Sequence, residues 1–533
     1  MTLRFFQLIF SAIIFCLLAG ESFAQKDPGV RGGLQNTGGG LQAQGKKIPP
    51  PPLISPNPTT EAAITDNEKL LFYEGILRAG QLESTCDNCA MVTDGAPAVK
   101  NPLNGLNEID PIFPQFTTNS NGLGARHNAD QCFACHGQPV LGGSGGFLVP
   151  NPVELAKSGP QAAQPPENPQ FNLIPHRFGK QNIVPSFEQQ YGPIREVRFL
   201  YKVDANGDFI RDGSGNLIPD GGVHQLWTVR GIQHDSTIPS CNLLQPNFEK
   251  QVHQQNAAFR IPLQMLGLGL IESIQDREIL AKQAATASQR VALGIAGRPN
   301  RSGNDGTITR FGWKAQNKSI TMFAGEAYNV EMGITNELFP TATEEDPGCN
   351  GPNKPEPNDV TRTATDDSFN QSFNNPLHIL ADWMEFQVMM RFTDGPQPEL
   401  HPSASAIRGR DLFSDVGCAL CHTPSMRTAR VMNSAVLQDR PVNLFSDLLL
   451  HDMGVGLADG ISQGQAGPRE FRSMPLWGVG QRIFFLHDGR TSDLLEAIKE
   501  HRSNGSEANQ VIEAFADLRP SDKQAILDFL RSL

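Results

Sequence analysis

Two Cys-x-x-Cys-His pentapeptides, a regular helical C-terminal region and a Gly- and Pro-rich middle together predict a mainly α fold. The expected architecture is two cytochrome c-like haem domains, the N-terminal one carrying a large loop-rich insertion with a few β-strands. The pentapeptides are Cys132-Phe133-Ala134-Cys135-His136 and Cys418-Ala419-Leu420-Cys421-His422. Each offers two thiols that can add to the vinyl groups of a haem, and an imidazole placed to bind its iron. With 9 Cys and 12 His in 533 residues, two chance matches are far less probable than two attachment sites. A zinc site or disulfide followed by an incidental His would have to occur twice. Two covalently attached haem c groups are the expected cofactors, with His136 and His422 as proximal iron ligands.

Residues 1–24 read as a secretory signal peptide. Arg4 opens a basic region, an apolar run follows from Phe5 to Leu18, and Ser22-Phe23-Ala24 offers small residues for cleavage before Gln25. The run is too short for a membrane span, and no later stretch reaches about 18 apolar residues. Phe15 precedes Cys16 where a lipoprotein signal needs a small residue. A periplasmic location is expected, and it suits haem c attachment. Outside the signal and the two motifs, Cys86, Cys89, Cys241 and Cys349 are available for disulfides. Cys86-Asp87-Asn88-Cys89 lacks the following His of an attachment site, so a local disulfide is the first reading. Cys241–Cys349 would be a second, and cross-pairing is equally consistent with the sequence.

The chain is acidic, with 44 basic against 56 acidic residues. No basic stripe with interleaved aromatics appears, which excludes a nucleic-acid partner. Residues 25–62 are rich in Gly, Gln and Pro and read as a flexible leader. The N-terminal haem domain is placed at 63–375, with Leu70, Leu71, Phe72, Ile76 and Leu77 as an early helical pattern. Its insertion spans about 137–310. Strands are expected at Glu196 to Val203 and His224 to Val229, joined by an Asn206-Gly207 hairpin turn. The turn resembles a calcium loop only in part, since Phe209 and Gly215 stand where Gly and an acid are needed. The C-terminal cytochrome c domain covers 376–533. A helix from Ala406 to Phe413 leads into Cys418, and Ser521-Asp522-Lys523-Gln524 reads as a capping box for a terminal helix. Small Gly409 and apolar Phe529 suit crossed-helix packing.

Several longer runs carry a family resemblance. These are Gly122 to Cys132, Gly306 to Pro340 (with Arg310-Phe311-Gly312-Trp313-Lys314-Ala315 and Glu331-Met332-Gly333), Leu448 to Gly454, Pro475-Leu476-Trp477-Gly478 and Leu486-His487-Asp488-Gly489-Arg490. Over roughly residues 65–533 the chain resembles the di-haem oxidoreductase/peroxidase family, also labelled thiol-oxidoreductase-like. It is more distantly similar to bacterial di-haem cytochrome c peroxidases and MauG enzymes. The resemblance implies Glu331 as the acid-base residue for peroxide at the N-terminal haem, although the upstream Gln of those enzymes is missing at the expected spacing. It implies Trp313 as a residue that bridges the haems.

One haem with an open face can bind peroxide, while a second, six-coordinate haem stores or relays an electron. Met453 is the first candidate for the distal ligand of the C-terminal iron, and Met474 the second. His451 could also reach an iron, a place beside a propionate or a turn being equally consistent with the sequence, and His487 reads as structural or propionate-facing. The expected function is reduction of peroxide, with a small redox donor protein as partner. The alternatives are oxidation of another small organic or protein substrate, in the manner of MauG or an oxygenase, and plain electron transfer.

Overall fold

Two crossed helices frame the C-terminal region. Ser403 lies in extended backbone and caps the Ala404–Asp415 helix by accepting a hydrogen bond from Ala406 N at 3.0 Å. In this computed structural model that helix packs on the terminal helix, Pro520–Ser532, at Gly409. A Cβ at 409 would stand 1.8 Å from Ala525 O, so the close approach of the two backbones requires glycine. Phe413, Phe445 and Phe529 fill the space beside the crossing, with ring centroids 5.4 to 6.4 Å apart. Pro520 occupies the first helical position, where its missing N–H costs nothing. Ser521 is therefore already inside the helix, and the capping box expected at Ser521 to Gln524 does not form.

The structure describes residues 25–28, 99–100, 107–108, 126–129, 132–136, 142–144, 168, 170, 183–228, 245–333, 338–339, 390–391, 395–432 and 437–533. The signal peptide, the Leu70 to Leu77 pattern and Cys86, Cys89, Cys241 and Cys349 lie outside the described residues. Among the described residues no helix is long and apolar enough to cross a membrane.

The fold is mixed α and β rather than mainly α: the described strands form six two-stranded antiparallel sheets. Most of these strands are two to four residues long, too short to leave an alternating apolar pattern in the sequence. The strand expected over Glu196 to Val203 is regular only at Glu196–Phe199, which pairs with Ala257–Arg260 in the register Val197 to Phe259. Single bridges at Tyr201 and Val203 continue it. The Asn-Gly turn forms as expected: Asp204 Oδ1 accepts from Asn206 N and Asp208 N, and Gly207 has φ 75°. The stretch read as a partly β insertion also carries helices at Leu268–Glu272, Asp276–Ala285 and Ala287–Ala292.

The largest core packs the Leu268–Glu272 and Asp276–Ala285 helices against the Ile320–Met332 helix and the 444–450 segment, through Leu268, Ile271, Ile279, Ile320, Ala324, Tyr328, Leu444 and Leu448. A smaller core lies under the Glu196–Phe199 strand, around Phe199, Leu226, Trp227 and Phe248. Gly409→Ala should force the crossed helices apart, because the blocking atom is backbone and cannot rotate away. We expect a loss of roughly 1–3 kcal/mol in denaturant unfolding, with both helices still present by circular dichroism.

Candidate active site

Each pentapeptide is coiled so that its histidine returns over its first cysteine. His136 N donates to Cys132 O at 3.0 Å, and His422 N donates to Cys418 O at 2.9 Å. The first motif is one turn of α-helix, Cys132–Cys135, and the second one turn of 3-10 helix, Cys418–Leu420. His136 Nδ1 lies 3.4 Å from Gly143 O, and His422 Nδ1 lies 3.2 Å from Phe445 O. An Nδ1–H donated to a carbonyl leaves Nε2 bare, the arrangement that orients an imidazole for a metal. Burial lowers both histidines to about 4, so each is the neutral form that can ligate.

The two motifs open into two separate cavities of about 1110 and 1400 Å³. Cys132, Cys135 and His136 line the first, together with Leu263, Met265, Tyr328 and Met332. Glu331 enters the same cavity from the last turn of the Ile320–Met332 helix. Ser319 caps that helix at its start, accepting from Met322 N at 3.2 Å, and Gly333 ends it in the left-handed region at φ 68°. Asn128 fixes Glu331 twice: its N–H donates to Glu331 O at 2.7 Å, and its Nδ2 donates to Oε2 at 2.7 Å. Glu196, Arg198 and Glu326 stand in the same wall, with Arg198 Nε donating to Glu196. Burial, reinforced by the Glu196 carboxylate, pushes Glu331 up to about 8. The cavity therefore holds a protonated carboxyl group at neutral pH.

Cys418, Cys421 and His422 line the second cavity with Phe413, Phe485, Phe515 and Leu530. Met453 and Met474 both reach it, although the Met474 sulfur already accepts from Arg472 Nη2 at 3.2 Å. His451 is pinned between Asp447 (3.0 Å) and Glu507 (2.8 Å), with Cys421 Sγ 3.6 Å away. His487 stacks on Phe471 with centroids 4.4 Å apart. The residue that the sequence analysis missed is His501. It lines the cavity, donates Nδ1–H to Ala497 O at 2.7 Å and is close enough to His422 to depress its protonation. A signal did exist, because His501 continues the apolar stripe of Leu494, Ala497 and Ile498 at helical spacing. Glu196 was also missed, having been read only as part of a strand.

Trp313 lines both cavities. Its indole N–H donates to Ile261 O at 2.9 Å, and its ring meets His487 edge-on at 6.3 Å. The structure thus brings Glu331 to the first motif, brings Met453 and His451 to the second, and sets Trp313 between them. A haem fits the residues at both places. Among the described residues Cys135, Cys418 and Cys421 form no disulfide and no group satisfies the buried Arg482 Nε of the second cavity, and the walls are largely apolar.

A family model described as "Di-haem oxidoreductase, putative peroxidase" matches residues 233–533, and the chain belongs to this family. The match contains the second pentapeptide; the first lies upstream of it. Among solved structures, hydrazine synthase of Kuenenia stuttgartiensis, determined under xenon pressure, is 17% identical with a TM-score of 0.19. The likeness covers 30% of this chain and 56% of that one. A MauG-like protein associated with microbial copper homeostasis is 18% identical with a TM-score of 0.27, over 44% of this chain and 79% of that one. No curated protein matches the chain.

Glu331 lies above its ordinary 4.5 in the fold, so its contribution to stability is complete below pH 4.5 and is lost as pH rises through about 8. Glu331→Gln should remove that loss. Between those pH values its stability should fall less steeply than that of the unaltered protein, by up to about 1.4 kcal/mol per pH unit. Urea titrations of both proteins at pH 5 and pH 8 measure the difference, and equal slopes would refute it.

Proposed function

We propose that this di-haem oxidoreductase is an exported c-type enzyme that reduces peroxide in the first cavity with electrons relayed through the second. On this reading residues 1–24 are removed on export, and a haem is attached within each of the regions 63–375 and 376–533. Cys132 and Cys135 would form the thioethers of the first haem and His136 would hold its iron. Cys418, Cys421 and His422 would do the same for the second. The chemistry a bound haem supplies is one-electron exchange and an iron site for peroxide oxygen.

The observation that carries the proposal is a buried, protonated Glu331 facing the same cavity as the first thiol and imidazole set. Reducing one peroxide takes two electrons and two protons and yields two waters. Breaking the O–O bond requires a proton on the leaving oxygen and the loss of one from the inner oxygen. The protonated Glu331 would give its proton to the leaving oxygen, and the carboxylate so formed would take that of the inner one. Asn128 orients its carboxyl group. Leu263, Met265 and Tyr328 keep bulk water from the bond being broken. Trp313, in the wall shared by both cavities, is the residue through which electrons would pass from the second site. They would come from a small donor protein.

Glu331→Gln tests this directly. The variant should keep two haems per chain by pyridine haemochrome assay and unaltered visible spectra, yet cleave peroxide roughly 10²–10⁴-fold more slowly. Unchanged peroxide cleavage with full haem content would remove peroxide reduction as the function of this site.

His422 would hold the second iron, and the cavity offers Met453 and His501 as a further ligand. His501 is the better oriented, since its donated Nδ1–H fixes the ring with Nε2 bare. Met453, the candidate from sequence, would raise the potential and give a sulfur-to-iron charge-transfer band. We expect His501→Ala to convert the second haem to a high-spin or water-ligated form and Met453→Leu to leave it six-coordinate. A charge-transfer band that disappears in Met453→Leu reverses the assignment.

A further inference from the structure

Seven arginines are buried among the described residues, and five of them meet an acid. Arg198 pairs with Glu196, Arg260 with Asp459, Arg290 with Asp447, Arg310 with Asp276 and Arg531 with Asp27. The exceptions are Arg472 and Arg482, and both line the second cavity. Arg472 gives Nε to Gly312 O at 3.1 Å and Nη2 to the Met474 sulfur at 3.2 Å, neither of them an anion. Arg482 gives Nη2 to Ser144 Oγ at 3.1 Å, while its buried Nε has no partner among the described residues. Both residues are less than a tenth exposed. Glu507, the one acid among the described residues lining this cavity, is already taken by His451 and by the N–H groups of Ala296 and Gly297.

An arginine cannot shed its charge in a protein, and a buried charge without a counter-ion is costly. Burial alone lowers both guanidiniums to about 10, with no acid opposing it. Two unopposed cations in one cavity call for two anions. A guanidinium is shaped for a carboxylate, which it can meet with two parallel N–H donations. The first cavity differs: two of its arginines, Arg198 and Arg260, already hold Glu196 and Asp459, and the third, Arg195, is only partly buried and gives its guanidinium to the carbonyls of Phe187 and Asp488.

We propose that Arg472 and Arg482 are a two-point carboxylate clamp that receives the two propionates of the haem attached at Cys418 and Cys421. This rests on the di-haem reading above and adds residues that the attachment motif does not contain. The clamp completes the charge balance of the second cavity only when the cofactor is in place. It also favours the reduced cofactor, because each fixed cation offsets an added electron.

The test uses the full holoprotein. A pyridine haemochrome assay on the unaltered protein comes first, and fewer than two haems per chain would overturn the di-haem reading itself. Spectroelectrochemical titration then compares Arg472→Gln, Arg482→Gln and the double variant with the parent. The potential of the C-terminal haem should fall in each single variant and fall furthest in the double one, with that of the N-terminal haem unmoved. Arg482→Lys, which keeps the charge and loses the fork, should recover part of the shift. Unmoved potentials in variants with full haem content would overturn the clamp. Should the variants fail to mature, infrared difference spectra of the unaltered protein carrying ¹³C-carboxyl haem decide the matter. Ionised, hydrogen-bonded propionates on the C-terminal haem support the clamp, and protonated or solvent-like ones overturn it.

Discussion

Lys314 is wholly buried, and its ammonium is held by Asp459 Oδ1 and by the carbonyls of Gly467 and Glu470, each at 3.0 Å. The Phe471 ring lies 4.0 Å below it. Asp459 also takes Arg260 at 2.6 Å, and Arg260 reaches Gln463 at 2.6 Å. One charge cluster therefore ties the Ala257–Arg260 strand, the Trp313-Lys314 turn and the 459–472 segment into a single wall. Burial takes Lys314 down to about 8 while Asp459 opposes it. Such a cluster adds little net stability when intact, but losing one member strands the others at a cost of about 3–5 kcal/mol. Its value here is positional. Trp313 O accepts from Arg472 N at 2.9 Å, so the wall that presents Trp313 to both cavities also sets the strand from which Arg472 enters the second.

The two sides of that wall differ in charge. The first cavity gathers Glu196, Glu326 and Glu331 around Arg198, and burial raises Glu326 as well as Glu331. Such a site can hold a proton at neutral pH and hand it over. The second gathers Arg472, Arg482 and several histidines with a single acid. Among the described residues it has no carboxyl group free to move a proton, but its cations can seat anions. The two sides thus differ in kind: carboxyl groups that can hold a proton line the first, and fixed cations that can seat anions line the second.

Local chemistry was legible in the sequence, and long-range chemistry was not. The pentapeptides could be read because their thiols and imidazole are joined by four peptide bonds, whatever the surrounding fold. Glu331 and Trp313 could be singled out by resemblance, and the structure sets both beside the cavities. Glu196 could not be, since only the pairing of Glu196–Phe199 with Ala257–Arg260 aims it at Glu331. Arg472 and Arg482 carry no signal in the sequence, because the lack of an acid partner exists only in three dimensions. Ser521 failed as a cap for a local reason: Pro520 fixed the helix start first. The helical content was overread because two-residue strands such as Asn300–Arg301 and Ile308–Thr309 carry no period to detect.

The two sites are also joined by a polar path that bypasses Trp313. Gly143 O faces His136 Nδ1, and the next residue, Ser144, donates to Pro262 O at 2.8 Å while accepting from Arg482 at 3.1 Å. The loop that orients the first imidazole is thus bonded to a cation of the second cavity. Arg482 is anchored in turn through its carbonyl, which accepts from Arg531 Nη1 at 2.9 Å, and Arg531 pairs with Asp27 near the start of the described chain. Neither cavity can be reshaped alone, because residues that frame one are held by residues that frame the other. Rigid hydrogen bonding between the supports fixes the separation of the two cavities better than packing alone. Directional bonds resist sliding, which apolar contacts permit.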